Sequence, residues 1–276
     1  MPELPEVETV VQGLHKSLIG RIIVGVQVRW PRSVIPPDPD AFARRLAGQT
    51  IADVGRRGKW VIITLSGGTL LIHLRMTGRL IVGPGEPADD RHVRVLFPLD
   101  DGQSLCFYDQ RKFGRLRLVD DPAEVLNDLG PEPLADDFTA AQLGEMLTRR
   151  RGRIKPLLLN QHFLAGLGNI YSDESLWRAG IHPLRRANTL TPAQVQRLHR
   201  AIRDVLRAAI ADGGTTLPDA TYQRTDGQPG EFGKRLAVYG RAGQPCLRCG
   251  TAIERIRVSQ RGTHFCPRCQ PLPEAI

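Results

Sequence analysis

Four cysteines, Cys246, Cys249, Cys266 and Cys269, form two C-x2-C pairs, and no other feature restricts the fold of this chain as tightly. A pair spaced in this way brings two thiolates to one metal ion, and two such pairs complete a tetrahedron. Gly250 follows the first pair, Pro267 lies inside the second, and residues 251–265 between them suit a β-hairpin. This is the pattern of a zinc ribbon, with iron the weaker choice for four thiolates. Four sulfurs leave no open coordination position, so the single Zn2+ expected here is structural. The ribbon also carries Arg248, Arg255, Arg257, Arg261 and Arg268. Arg261 is expected at the hairpin tip beside Gly262, where it suits phosphates or a DNA groove. Cys106 stands alone in a strand-like run and reads as a core residue.

Charge points the same way as the ribbon. The 276 residues include 38 Lys and Arg against 29 Asp and Glu, a formal charge of +9, which favours a polyanionic partner. Apolar residues make up 41%, normal for a globular protein. No apolar run is long enough to span a membrane. The opening Met-Pro-Glu-Leu-Pro-Glu has neither the basic nor the apolar region of a signal peptide. A cytoplasmic location is therefore expected, where disulfides are rare.

Along the chain the hydrophobic period changes. Val7, Val10, Val11, Leu14 and Leu18 share one face of a helix over residues 5–18. Short β-like runs follow: Arg21–Val28, Lys59–Leu65, Thr69–Leu74, His92–Phe97, Gln103–Tyr108 and Gly114–Val119. Gly67-Gly68 is a hairpin signal, and strands at this spacing imply a sandwich or barrel. Gly130-Pro131-Glu132-Pro133 marks a domain boundary. Helices are then predicted near 139–149, 155–161 and 169–179. A further helix begins at the capping box Thr191-Pro192-Ala193-Gln194 and is stopped by Gly213-Gly214. Its buried stripe is Val195, Leu198, Ile202, Val205 and Ala209. Asp212–Lys234 reads as a long functional loop. The basic run Arg149, Arg150, Arg151, Arg153 and Lys155 reads as a solvated surface that steers a polyanion, with phosphate contact the alternative.

Pro2 is small enough for Met1 to be removed, which leaves a secondary amine at the terminus. An α-amino group titrates near 7.7–8.0, so part of it is unprotonated near neutrality. Such an amine attacks an aldehydic carbon to give an iminium ion, an electron sink that permits β-elimination. Glu3 and Glu6 are near enough in sequence to shuttle protons or hold the amine.

Several further stretches carry a resemblance. The opening Pro-Glu-Leu-Pro-Glu-Val-Glu-Thr, Arg57-Gly58-Lys59, His73-Leu74-Arg75-Met76-Thr77-Gly78 and Arg111-Lys112-Phe113-Gly114 are similar to motifs of bacterial formamidopyrimidine-DNA glycosylases. So are Leu129–Leu134, Gly166–Tyr171, Gly213–Leu217, Val238–Arg241 and the ribbon, in order over nearly the whole chain. The resemblance implies an α+β architecture: an N-terminal β-sandwich with one helix, then a helical domain with a helix–two-turn–helix motif and the zinc-ribbon hairpin. The expected divisions are 1–130, 131–240 and 241–276, with DNA in the cleft and the Asp212–Lys234 loop over an extruded base.

Site roles follow from the same resemblance. Pro2 is implied as the nucleophile, Glu3 as the acid in proton transfer and sugar-ring opening, and Lys59 as a phosphate contact that assists the chemistry. Asn169 is implied to bind a phosphate, and Arg261 the phosphates around the flipped nucleotide. Met76, Arg111 and Phe113 are implied to fill the void left by the base, with Arg111 donating to the orphaned cytosine. Arg153, His73 and His92 are further candidates for phosphate contact, although a strand-end histidine is commonly just packed or exposed. The chain departs from the family's usual Asp-Pro-Arg-Arg-Phe-Gly: it has Asp109-Gln110-Arg111-Lys112-Phe113-Gly114, and Gln110 removes a proline restraint.

The expected activity is base-excision repair: removal of oxidised purines opposite cytosine in double-stranded DNA, then strand cleavage by β,δ-elimination, by a monomer. The alternatives are an endonuclease VIII-like enzyme for oxidised pyrimidines and a non-enzymatic zinc-ribbon DNA-binding protein.

Overall fold

The computed structural model describes residues 1–36, 38–85, 90–218 and 222–272. Two compact units emerge: Met1–Asn127 with Asp212–Glu231, and Asp128–Ala211 with Phe232–Ile276.

The first unit opens with α1 (Leu4–Leu18), whose predicted stripe Val7, Val10, Val11, Leu14 and Leu18 is buried. After β1 (Gln27–Val28), α2 (Pro39–Leu46) starts where Asp38 Oδ1 accepts the Ala41 N–H at 2.9 Å. The strands that follow are β2 (Ile51–Arg57), β3 (Trp60–Leu65), β4 (Gly68–His73), β5 (Gly78–Pro84), β6 (Val93–Pro98), β7 (Gln103–Asp109) and β8 (Arg115–Val119). They form two antiparallel four-stranded sheets, ordered β1-β6-β7-β5 and β2-β3-β4-β8. Val61, Ile63, Leu70 and Ile72 of one sheet share a core with Val95, Phe97, Leu105 and Phe107 of the other. Each such side chain contributes roughly 1.5–3 kcal/mol when fully buried. The sandwich is the one expected.

Strand limits differ in places. Of Arg21–Val28 only Gln27 and Val28 form a strand, while Ile22 and Ile23 make isolated bridges to Thr50 and Leu99. Strands β2 and β5 were not predicted. Asp53, Gly55, Arg56 and Arg57 dilute the apolar pattern of the first, and Gly78, Gly83 and Pro84 that of the second.

The second unit contains α4 (Ala140–Thr148), α5 (Ile154–Leu159), α6 (Asn169–Ala179) and α7 (Pro192–Ala211); a single turn, α3 (Ala123–Leu126), precedes it in the first unit. The Thr191 box closes as read: Gln194 Oε1 accepts the Thr191 N–H at 2.9 Å, and Thr191 Oγ1 accepts the Gln194 N–H at 3.3 Å. The α7 stripe from Val195 to Ala209 is buried. A hairpin of β9 (Glu254–Val258) and β10 (Arg261–Phe265) follows. Its turn residues Ser259 and Gln260 both have positive φ, 45° and 62°, as a two-residue hairpin turn demands.

The compact units do not follow three consecutive segments divided at 130 and 240. Residues 212–231 return to the first unit, because Tyr222 packs in the sandwich core and Thr215 bonds to Glu6. Of the expected Asp212–Lys234 loop, residues 219–221 lie outside the described residues. Its ends are tied together by the Glu231 N–H donated to Asp212 O at 2.9 Å.

Candidate active site

Pro2 is buried beside the start of α1, whereas Met1 is 42% exposed. Glu3 is the N-cap. Its carboxylate accepts the Glu6 N–H, and Glu6 Oε2 accepts the Glu3 N–H at 2.8 Å. This is a reciprocal capping box made of two carboxylates. Glu6 Oε1 accepts a further N–H, from Thr215, at 2.7 Å. Both Glu6 oxygens thus bind backbone, a structural task that the proton-shuttle reading of Glu6 did not include. Gly214 makes the approach possible: its φ is +84°, and a Cβ there would stand 3.0 Å from Glu6 Oε1.

Lys59 lies in the β2–β3 turn behind Gly58, at 5% exposure, and does not open the strand as the sequence suggested. His73, at the end of β4, pairs in register with Trp60, and the rings meet edge-on at 4.9 Å. The Arg75 N–H donates to His73 Nδ1 at 3.1 Å, which puts the ring proton on Nε2. Burial, reinforced by the charges of Arg75 and Lys59, pulls the ring's pKa down to about 3. His73 is therefore a neutral N–H donor near neutrality.

Met76 and the Arg111/Phe113 pair occupy different turns that share anchors. Thr77 Oγ1 donates to Asp109 Oδ1 at 2.5 Å and accepts the Arg111 N–H at 3.1 Å. Asp109 Oδ2 accepts the Gly114 N–H at 2.6 Å. The Arg111 guanidinium lies 4.8 Å over the Phe113 ring, and Phe113 is 46% exposed. Met76 is half-buried. His92 sits at the root of this loop, its carbonyl accepting the Asp109 N–H at 2.9 Å. Thr77 and Asp109 went unassigned in the sequence, although both belong to motifs quoted above.

In the second unit, Asn169 begins α6 after an N-cap glycine, Gly168. Its Nδ2 donates to Gly262 O, beside Arg261, at 3.0 Å. Arg261 is exposed at the head of β10. Lys155 joins the same point: its Nζ donates to Thr263 Oγ1 at 2.8 Å and Gly262 O at 3.2 Å, and pairs with Asp173 Oδ1 at 2.6 Å. Asp173 Oδ2 accepts the His264 N–H at 2.9 Å. Lys155 is fully buried, which corrects its assignment to a solvated basic run. Its apolar neighbours Ile154, Leu157 and Leu158 were the available signal. Arg153 is exposed, and its side chain has no hydrogen-bond partner among the described residues. Glu174, also missed, accepts the N–H groups of Ala237, Val238 and Tyr239, each at 2.9 Å.

The four cysteine sulfurs lie within 4.8 Å of one another. The Cys246–Cys269 and Cys249–Cys266 sulfurs are 3.9 and 3.5 Å apart. Zinc–sulfur bonds of about 2.3 Å in a tetrahedron require separations of roughly this size. Donors already face the sulfurs: Arg248 N and Trp177 Nε1 to Cys246, and Cys269 N to Cys266, each at 3.4 Å. Such donors stabilise thiolates. The residues fit one structural zinc, which when bound would cross-link the two C-x2-C turns.

Three family models match the chain in succession: the formamidopyrimidine-DNA glycosylase N-terminal domain over residues 1–116, its H2TH domain over 129–220, and the zinc finger found in FPG and IleRS over 243–272. The formamidopyrimidine-DNA glycosylase of Chloroflexus aggregans is 52% identical over 276 residues, covering 99% of each chain. That of Enterococcus faecalis is 47% identical, covering 99% of this chain and 98% of its own. The crystal structure of the Thermus thermophilus protein aligns at TM-score 0.88 with 43% identity over 98% of both chains. A Lactococcus lactis FPG complex with abasic-site DNA aligns at 0.91 with 37% identity, over 98% of this chain and all of the other. The chain belongs to the formamidopyrimidine-DNA glycosylase family.

Proposed function

We propose that this chain excises oxidised purines, 8-oxoguanine and formamidopyrimidines, from duplex DNA and then opens the strand through a Schiff base on Pro2. The observation that carries the reading is Pro2 itself, one residue from the terminus and beside the buried carboxylate of Glu3. Removal of Met1 exposes a secondary amine there. The amine displaces the base at the sugar C1′, and ring opening gives an iminium ion. That ion acidifies C2′; loss of its proton expels the 3′ phosphate, and a second elimination expels the 5′ phosphate. Glu3 moves the protons, and Lys59 holds a phosphate near the lesion.

The remaining assignments divide by chemistry. Met76 and Phe113 fill the vacated stack while Arg111 donates to the orphaned cytosine. Asn169, Arg261, Arg153 and His92 contact phosphates, and His73 does so through its Nε2–H. DNA complexes of Lactococcus lactis relatives containing Fapy-dG or an abasic site support a damaged-duplex partner. No helix among the described residues is long and apolar enough to cross a membrane. We take the enzyme to act as a monomer in the cytoplasm, associated with the nucleoid.

Borohydride trapping tests the reading. A duplex with 8-oxoguanine opposite cytosine should yield a covalent adduct whose peptide map ends on Pro2. An adduct on a lysine, or none, overturns the mechanism. Faster cleavage of a thymine-glycol duplex rejects the purine assignment.

A further inference from the structure

The turn that carries Arg111 and Phe113 bends through a strained residue. Lys112 between them has φ +61°, in the left-handed region that side chains other than glycine rarely adopt. Its backbone is held at both ends: Lys112 N donates to Asp109 O at 3.4 Å, and Lys112 O accepts from Arg115 Nη1 at 3.2 Å. Asp109 fixes the flanking N–H groups of Arg111 and Gly114. These bonds set the course of the chain but do not hold the Lys112 side chain. That side chain ends with Nζ 3.9 Å from the centroid of the Trp30 ring. Arg32 also approaches this ring, but its guanidinium is farther off, at 5.9 Å.

Trp30 is tied to the base of the same turn. Its backbone N–H donates to Arg94 O at 3.1 Å, and Arg94 Nε donates to Asp109 O at 2.7 Å. Arg94 is nearly buried, at 9% exposure. The indole and the turn are therefore mounted on one frame, and the ammonium closes a ring of contacts from Trp30 through Arg94 and Asp109 to Lys112. A cation over an indole face is attractive, most strongly over Trp. Side chains of Arg111 and Phe113 stack on each other while that of Lys112 is taken up by Trp30.

We infer that Trp30 is a positioning residue, which acts through Lys112 to hold the Arg111–Phe113 turn in the form that reads the base opposite the lesion. The inference rests on the role proposed above for Arg111 and Phe113. In this chain Gln110 stands where a proline would stiffen the turn, and the indole–ammonium contact supplies a restraint from outside it.

The test measures kcat/KM on 8-oxoguanine opposite cytosine and opposite adenine and takes their ratio. Arg111→Ala is the control for the underlying reading and should collapse the ratio. Lys112→Gln and Trp30→Leu should each lower it by about threefold, the scale of one exposed cation–π contact. The double variant should fall no further than either single one, and Lys112→Arg should retain the ratio. Equal loss on both duplexes in Lys112→Gln, with the ratio kept, would assign Lys112 to a phosphate and overturn the inference. So would an unchanged ratio in both single variants while Arg111→Ala loses it. An unchanged ratio in Arg111→Ala would instead remove the role of the turn itself, and the inference with it. Lys112 is exposed, so its variants remain informative if Trp30→Leu does not fold.

Discussion

Thr215 donates its backbone N–H to Glu6 Oε1 at 2.7 Å, although 209 positions of sequence separate them. The other oxygen of the same carboxylate holds the N–H of Glu3, next to Pro2. One buried acid thus sets both the start of α1 and the return of the 212–231 segment. Glu6→Gln is expected to turn an amide NH2 toward one of these N–H donors and to cost about 1–3 kcal/mol. Gly214→Ala should lose a similar amount, about 1–3 kcal/mol, from its left-handed backbone and the contact with Glu6. Urea unfolding measures both; unchanged midpoints would show that the carboxylate is not a structural hub.

Lys155 and Asp173 form an ion pair with neither side chain exposed. Breaking one side of such a pair leaves a charge without compensation. Lys155→Met should therefore destabilise the second unit by about 3–5 kcal/mol, and adding Asp173→Leu should recover part of the loss. A single variant as stable as the parent would refute this account. The hairpin resonances around Arg261 should shift with it, since Lys155 also holds Gly262 and Thr263.

Zinc removal bears on the same hairpin. Chelation or Cys249→Ala should abolish bound zinc and lower affinity for damaged duplex at least roughly tenfold, the equivalent of about 1.4 kcal/mol. Trp177 offers an optical report, because its Nε1 donates to Cys246 Sγ at 3.4 Å and its emission should change as the thiolate is released. Tight binding by zinc-free protein would sink the assigned role of the ribbon.

His73 predicts an acid limb. Its folded ring has a pKa near 3, while the unfolded ring takes up a proton near 6.5. Between these values the unfolded chain binds more protons, so stability rises with pH across this window. The contribution is complete above 6.5 and is lost as pH falls toward 3. NMR should find the ring neutral at pH 5, and His73→Gln should flatten the decline in unfolding midpoint between pH 6.5 and 4. A ring that titrates near 6.5 would contradict the geometry.

The sequence exposed those parts of the fold whose pattern is local. The α1 and α7 stripes repeat at helical period, the Thr191 box lies within four residues, and the cysteine pairs announce their own geometry. Strands β2 and β5 were obscured because charged residues and glycine interrupt their alternation. Lys155 was misread for a related reason: a lysine beside arginines suggests a surface, and its partner Asp173 follows many residues later. Separation in sequence likewise hid the Glu6–Thr215 bond and the Thr77–Asp109 bond that ties the Met76 turn to the Arg111 turn. Trp30 and Lys112 show the limit plainly, since nothing in either neighbourhood names the other.

The sandwich is also an interrupted sentence. A nascent chain emerging from the ribosome carries the last strand of the sandwich at Val119 long before it carries Tyr222, which seals the hydrophobic interior. Translation must pass through α4, α5, α6 and α7 before the missing piece arrives. Neither unit can thus be excised as one uninterrupted fragment, and a truncation after Asn127 would leave the β-rich half with an open seam.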